Sequence, residues 1–238
     1  MAEEFKRLPL YINGLDEKME GGIPEKSIVL VCGRAGTMKS SVCFNALYQG
    51  AIRDKRKGIY LTLEQSRESL LRHMRRLGMD VEGIEEVVVI DLAKVRKDIV
   101  EKEGKSDRQI DWIHSIVTAL ESYKRMFGCD LLVLDSLAAL YALTEFKNPR
   151  AELFHFFERL RDLDVTALLI SEMPMDREVF GLYGVEDFLA DGIIHLHTVR
   201  KEDTANLYIN INKLRATNHD RGFYPLIFEN GQFEIVSQ

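Results

Sequence analysis

The chain has 238 residues, of which 46% are hydrophobic and 29% charged, and its formal net charge is −6. That length supports one sizeable α/β core and is short for two, so a single domain over residues 1–238 is expected. The acidic balance gives no whole-protein attraction for nucleic acid or anionic membrane, which leaves only a local basic patch open; no apolar run nears the roughly 20 residues of a bilayer span, and the amino terminus is acidic, so a soluble, cytoplasmic protein is expected.

Short β-rich runs alternate with segments of helical spacing. Ser27 to Cys32 reads as a strand, Ser40 to Arg53 as a helix and Gly58 to Leu63 as a strand. A helix around Ser66 to Leu77 precedes a strand at Val87 to Ile90. A long helix around Ile110 to Phe127 precedes a strand at Leu131 to Leu134, and Ala151 to Leu163 precedes Thr166 to Ile170. This alternation predicts a mainly parallel sheet flanked by helices. From Gly192 the pattern changes to strands joined by turns: Ile193 to Val199, Leu207 to Leu214, and a pair around Tyr224 to Phe228 and Phe233 to Val236 with Asn230-Gly231 as a hairpin signal. The polar stretch Lys94 to Arg108 reads as a solvated helix end or loop. Cys32, Cys43 and Cys129 are odd in number, show no CxxC spacing and sit in apolar segments, so buried free thiols are expected in preference to a disulfide or zinc framework.

The strongest local signal is Gly33-Arg34-Ala35-Gly36-Thr37-Met38-Lys39-Ser40, after an apolar strand and at the start of a helix. A phosphate loop belongs at that junction. Its backbone N–H groups, extended to Ser41, would surround phosphates, Lys39 would neutralise the β and γ oxygens, and the Ser40 hydroxyl would ligate magnesium. Met38 stands where the usual pattern has glycine. A turn followed by Lys-Ser at an ordinary helix start is the competing reading.

In open parallel sheets, ligands lie beyond the carboxyl ends of the strands. Glu64, Asp91, Asp135 and Ser171-Glu172 each end an apolar run there. Asp135 has the form of a magnesium-holding aspartate after a buried strand, against a helix-capping role before Ser136. Glu64, from the neighbouring strand, is the candidate to orient and deprotonate an attacking water, against a surface or capping role. Asp91 reads as a strand-end or capping residue. On a regular strand Leu207, Ile209, Ile211, Lys213 and Arg215 share one face, so an apolar row would end in two cations. They are either charge stabilisers for a phosphate or ordinary surface bases.

Taken together, these motifs resemble the KaiC-like branch of the RecA superfamily over nearly the whole chain. The resemblance rests on Ile12-Asn13-Gly14-Leu15-Asp16, Gly21-Gly22-Ile23-Pro24, the loop at 33–40, Leu63-Glu64-Gln65-Ser66 and Leu134-Asp135-Ser136. Late in the chain it rests on Gly184-Val185-Glu186, Ala190-Asp191-Gly192-Ile193-Ile194 and Lys213-Leu214-Arg215-Ala216-Thr217-Asn218-His219. It implies a RecA-like fold and an ATPase that uses ATP and Mg2+, with nucleotide between adjacent subunits, commonly of a hexameric ring. The neighbour's Lys213 and Arg215 would reach the γ-phosphate, and His219 would lie near the interface nucleotide. Such assemblies act on partner proteins, and none is identifiable from these residues. Two positions depart from the family pattern: Gln65 where a second glutamate is common, and Glu172 where glutamine is common. Glu172 points to slow turnover, whereas the related helicase-like branch works with a single glutamate, as Glu64 would here; Met38, Gln65 and Glu172 favour the alternative function, an ATP-binding sensor with little hydrolysis. A recombinase-like DNA-repair role is a third reading, disfavoured because Met173 to Leu189 carries Asp176, Glu178, Glu186 and Asp187 against only Arg177. His195 and His197 share a strand face but lack a third ligand, and read as residues packed beside a sheet edge.

Overall fold

The computed structural model describes residues 6–92, 94, 111–144, 146–174, 179–201 and 203–236. The polar stretch from Lys94 to Arg108 therefore lies, except for Lys94 itself, outside the described residues, as do Asp176, Arg177 and Glu178. Two short strands, β1 (Arg7–Leu8) and β2 (Ile12–Asn13), lead into a 3-10 turn at Asp16–Met19 and β3 (Ile23–Pro24). Then follow β4 (Ile28–Gly33), α1 (Lys39–Asp54), β5 (Gly58–Thr62), α2 (Arg67–Arg76), β6 (Val87–Asp91), α3 (Trp112–Phe127) and β7 (Leu131–Asp135). The remainder is α4 (Leu137–Leu143), α5 (Pro149–Asp162), β8 (Thr166–Glu172), α6 (Glu186–Leu189), β9 (Gly192–Lys201), β10 (Thr204–Leu214), β11 (Tyr224–Glu229) and β12 (Gln232–Ile235).

Ten strands form one sheet in the order β2-β12-β11-β10-β9-β4-β8-β7-β5-β6. From β9 to β6 the neighbours run parallel; β9, β10, β11 and β12 pair antiparallel in sequence. The parallel strands read as continuous apolar runs because both faces are covered. On one face Val29, Val31, Leu131, Val133, Leu168 and Ile170 pack with Val42, Phe44 and Leu47 of α1. On the other, Ile28, Leu30, Leu132, Leu134 and Leu169 pack with Ile116 and Leu120 of α3 and Leu153, Phe156, Phe157 and Leu160 of α5. Phe154, on the outer side of α5, stays exposed.

Local chemistry sets the boundaries. The side chains of Ser66, Asp111, Ser136 and Asn148 accept N–H bonds at the starts of α2, α3, α4 and α5, and Pro149 occupies the first turn of α5. Asn230-Gly231 closes a two-residue turn between the paired Glu229 and Gln232. No helix among the described residues is long and apolar enough to cross a membrane.

Three expectations are corrected. Cys129 is only partly buried, whereas Cys32 and Cys43 are buried as expected. The histidine-bearing strand β9 is interior, between β4 and β10, and not at an edge. Strand β10 is irregular: Ile211 pairs with Ile194 and Lys213 with Ile193, so Asn212 is the extra residue of a bulge. The bulge turns Leu214 into the apolar row of Ile209 and Ile211 and sends Lys213 to the opposite face.

The amino-terminal turn is tightly seated. A Cβ on Gly22, whose φ is 133°, would stand 2.4 Å from the Leu8 carbonyl oxygen, a backbone atom that cannot rotate away. Gly22→Ala should lower stability by about 3 kcal/mol. A urea titration checks it, the expected result being a lower midpoint at unchanged slope.

Candidate functional site

Strand β4 delivers the chain to Gly33, where there is no room for a side chain: a Cβ would lie 2.3 Å from the Leu196 carbonyl oxygen on β9 and 2.6 Å from Thr37 Oγ1. Arg34, Ala35 and Gly36 are exposed, while Thr37, Lys39 and Ser41 are buried and Ser40 is half-buried. One carbonyl closes the loop. The Arg34 oxygen accepts from Thr37 Oγ1 at 2.8 Å and from Lys39 Nζ at 2.9 Å. Met38, at φ 61°, takes the left-handed conformation for which glycine is usual, at a cost of about 1–2 kcal/mol. Packing of its side chain against the core offsets part of that cost. No side chain caps α1, so its first N–H groups face the loop at the positive end of a 16-residue helix dipole.

The carboxylates arrive by strand periodicity. Residues that face α1 alternate along each strand, so the rows Leu131, Val133 and Leu168, Ile170 end in Asp135 and Glu172. Asp135 Oδ2 accepts from Tyr60 Oη at 2.5 Å, and Ser40 also hydrogen-bonds it. Burial holds the Asp135 carboxyl above the usual carboxylate range, with Glu64 adding to the rise; the bonds from Tyr60 and Ser40 and the charge of Lys39 act the other way. Burial, then the charge of Asp135, keeps Tyr60 protonated and a donor. Lys39 is pushed below its ordinary value by burial, against the charges of Glu172 and Asp135.

Because β8 lies between β4 and β7, and Gly33 is in register with Glu172, that carboxylate stands between the loop and Asp135. Glu64 is exposed just past β5, whose Thr62 pairs with Asp135, and its Oε1 accepts from Ser136 Oγ at 2.8 Å. A reciprocal pair of bonds between Thr62 Oγ1 and the Gln65 backbone tightens the turn that carries Glu64. Asp91 caps a helix start, accepting from Arg67 N and Lys94 N.

Lys213, Arg215 and His219 are not brought to the loop within the chain. Lys213 Nζ donates to the Asp187 and Ala190 carbonyls at 2.8 and 2.7 Å, and Arg215 Nη1 meets Asp191 Oδ1 at 2.9 Å. His219 Nδ1 contacts the Asp220 carbonyl. Arg215 remains more than half exposed.

Sequence reading missed Tyr60 and Ser136. Tyr60 had a readable signal: with Thr62 it puts hydroxyls on the α1-facing side of β5, while Ile59 and Leu61 face the other core. His195 and His197 line up one step before and after Leu196, their ring centroids 4.9 Å apart, with Phe180 against His195 and Tyr208 and Phe223 against His197. Burial, then the neighbouring His197, lowers His195 to about 4. Among the described residues no group of three or more His, Cys, Asp or Glu could hold a metal. The Ser40 hydroxyl beside the Asp135 carboxylate is an oxygen pair suited to a hard cation that keeps most of its shell from water and phosphate.

A family model described as "ATPase: KaiC" matches residues 8–238. The chain is 28% identical to the circadian clock protein KaiC3 of Synechocystis, covering 99% of this chain and 46% of that protein. It is 27% identical to the circadian clock oscillator protein KaiC of Thermostichus vulcanus, covering 97% and 44%. It thus spans less than half the length of these curated relatives. The crystal structure of a KaiC-like protein from Pyrococcus horikoshii superposes with a TM-score of 0.83 at 25% identity, over 98% of this chain and 100% of that one.

The histidine pair yields a pH test. A folded-state pKa near 4 lies below the ordinary 6.5, so the stability that His195 contributes is present above about 6.5 and is lost as pH falls toward 4. Denaturation between pH 4 and 8 should show wild type losing stability relative to His195→Phe below pH 6.5, with a constant gap above it. A gap independent of pH throughout would contradict the assignment.

Proposed function

The chain belongs to the KaiC family of ATPase domains, and on that premise we propose that it binds ATP with Mg2+ at residues 33–41 and hydrolyses it in a site completed by a second copy. The observation that carries the reading is the meeting of Lys39, Ser40 and Asp135 at the uncapped start of α1, bonded through Tyr60 and the Arg34 carbonyl. Backbone N–H groups of Gly33 to Ser41 cradle the phosphates, and Lys39 exchanges the Arg34 carbonyl for the β and γ oxygens. Ser40 and Asp135 would hold Mg2+, which would neutralise charge on those oxygens. Glu64, exposed and oriented by Ser136, accepts the proton of the attacking water as the new O–P bond forms and the β–γ bridging bond breaks.

Arg215 and Lys213 serve the neighbour's γ-phosphate, with His219 near that nucleotide. Arg215 is the freer of the two cations, since two of the three Lys213 donors already bind the Asp187 and Ala190 carbonyls. Exposed Phe188, whose carbonyl accepts from Arg215, supports burial of this face against another copy, in a ring for which six is the favoured number. Residues 1–238 act as one domain in this reading, and its output is a change in subunit packing or in the binding of a protein partner. Nucleic acid is disfavoured by the net charge of −6.

One observation favours a second reading, an ATP sensor with little hydrolysis. Glu172 lies in register with Gly33, where its charge competes with the γ-phosphate for Lys39.

Lys39→Ala should lose ATP affinity. Glu64→Gln should keep it and lower kcat by about 10²–10⁴-fold, and Arg215→Ala should lower kcat by about 10³-fold. Steady-state turnover with parallel binding titrations measures all three; a wild type no faster than Glu64→Gln replaces the enzyme reading with the sensor. Glu172→Gln should tighten ATP binding by about tenfold, as removal of a like charge near phosphate requires, and titration calorimetry reads it.

A further inference from the structure

The side chain of Arg7 is only 15% exposed and reaches Thr217, 210 residues further along the chain. Its Nη1 donates to the Met19 carbonyl at 3.2 Å, the Gly22 carbonyl at 3.0 Å and Thr217 Oγ1 at 2.9 Å. Its Nη2 donates to Glu20 Oε2 at 2.5 Å and to the Ala216 carbonyl at 3.3 Å. The backbone that carries it is itself fixed: Arg7 pairs with Pro24 between β1 and β3, and its carbonyl accepts from Arg56 Nη2, whose Nη1 meets Glu25.

Two of these acceptors follow Arg215 directly. There the chain leaves β10 through Ala216, whose φ of 53° is left-handed. The same amino-terminal turn takes the next residues too, with Asn218 N donating to Glu20 Oε1 and Asp220 N to the Lys18 carbonyl. On the other side, Arg215 N donates to the Asp191 carbonyl. The exit from β10 is thus held from one side by Asp191 and from the other by the amino-terminal turn, where the Arg7 guanidinium takes the two residues that directly follow Arg215. Lysine, a point cation with three donors, cannot span these five acceptors as a planar fork does.

We propose that Arg7 is a positioning residue for Arg215: it fixes the turn that presents the Arg215 guanidinium and touches neither the phosphate loop of its own chain nor the nucleotide. This rests on the proposed role of Arg215 toward a neighbour's nucleotide. A displacement of the presenting turn by about 1 Å is worth up to 10²-fold in rate.

The distinguishing consequence is one of geometry between copies. Arg7 acts through its own chain's Arg215, so its loss impairs the neighbour's site and leaves its own phosphate loop intact. Arg7→Gln should lower kcat by about 10- to 100-fold with KM for ATP changed by less than about 2-fold, and Arg7→Lys should restore only part of the loss. In equimolar mixed assemblies, Arg7→Gln with Lys39→Ala should recover about a quarter of wild-type activity, because a quarter of random interfaces pair an intact loop with an intact presenting turn. Arg7→Gln with Arg215→Ala should recover nothing, since every interface then has a defective turn. Should Arg7→Gln unfold, Thr217→Val removes one Arg7 acceptor, together with the Thr217 Oγ1 bond to the Arg215 carbonyl in the same turn, and is read the same way, with a smaller loss of kcat. Retained kcat in Arg7→Gln and Thr217→Val beside a dead Arg215→Ala overturns the proposal alone. Failure of the Lys39→Ala mixture to recover does so as well. Full turnover in Arg215→Ala overturns the underlying reading first.

Discussion

A carboxylate drawn out of water at the end of a buried strand has to be met by donors, and Asp135 is that group. Its burial raises the free energy of its charged form, and Tyr60, Ser40 and Lys39 are the partners that offset it. They come from two different parts of the chain. Tyr60 comes from the neighbouring strand, Ser40 and Lys39 from the start of α1, and Lys39 also reaches back to the Arg34 carbonyl. The cluster therefore locks the loop, the first turn of α1 and the ends of β5 and β7 into one arrangement. An anion that arrives at the start of α1 meets a lysine already tuned by two carboxylates and a helix end with no cap of its own.

Much of this was legible because strand and helix periods differ. Continuous apolar runs announced strands covered on both faces, and polar residues ending them marked the ligand edge of the sheet. Asp135 and Glu64 were singled out on that basis, Lys39 and Ser40 by the loop motif at the start of a helix, and the structure gathers the four side chains at one edge. What was not legible came from contacts that one residue's position cannot encode. The bulge at Asn212 reverses the parity of β10, so Lys213 leaves the face predicted for it. The short segments β1, β2 and β3 are too brief to show a period at all. The left-handed turn at Met38 was marked only by the absence of the usual glycine, and the register that sets Glu172 opposite Gly33 depends on strand order, which local patterning does not specify.

The antiparallel half of the sheet gives the proposed site its second component. Strand β9 supports the phosphate loop through the Leu196 carbonyl against Gly33, and β10, its hairpin partner, carries Lys213 near its end and leads into Arg215. Within the chain those cations bond to Asp187, Ala190 and Asp191, away from the loop. Charge that stabilises phosphate from a distance has little effect in water and much more in a desolvated interface. A chain that carries its phosphate cradle at one place and an exposed guanidinium at another is suited to act in company, and exposed Phe188 beside Arg215 agrees with that.

The central claim, a nucleotide site completed by a neighbouring copy, is tested most directly by ATP turnover per chain measured across a dilution series, with the assembled fraction followed by sedimentation in the same solutions. The account predicts that specific activity falls in proportion to the assembled fraction and vanishes in the monomer. Activity per chain that stays constant down to the monomer would contradict it.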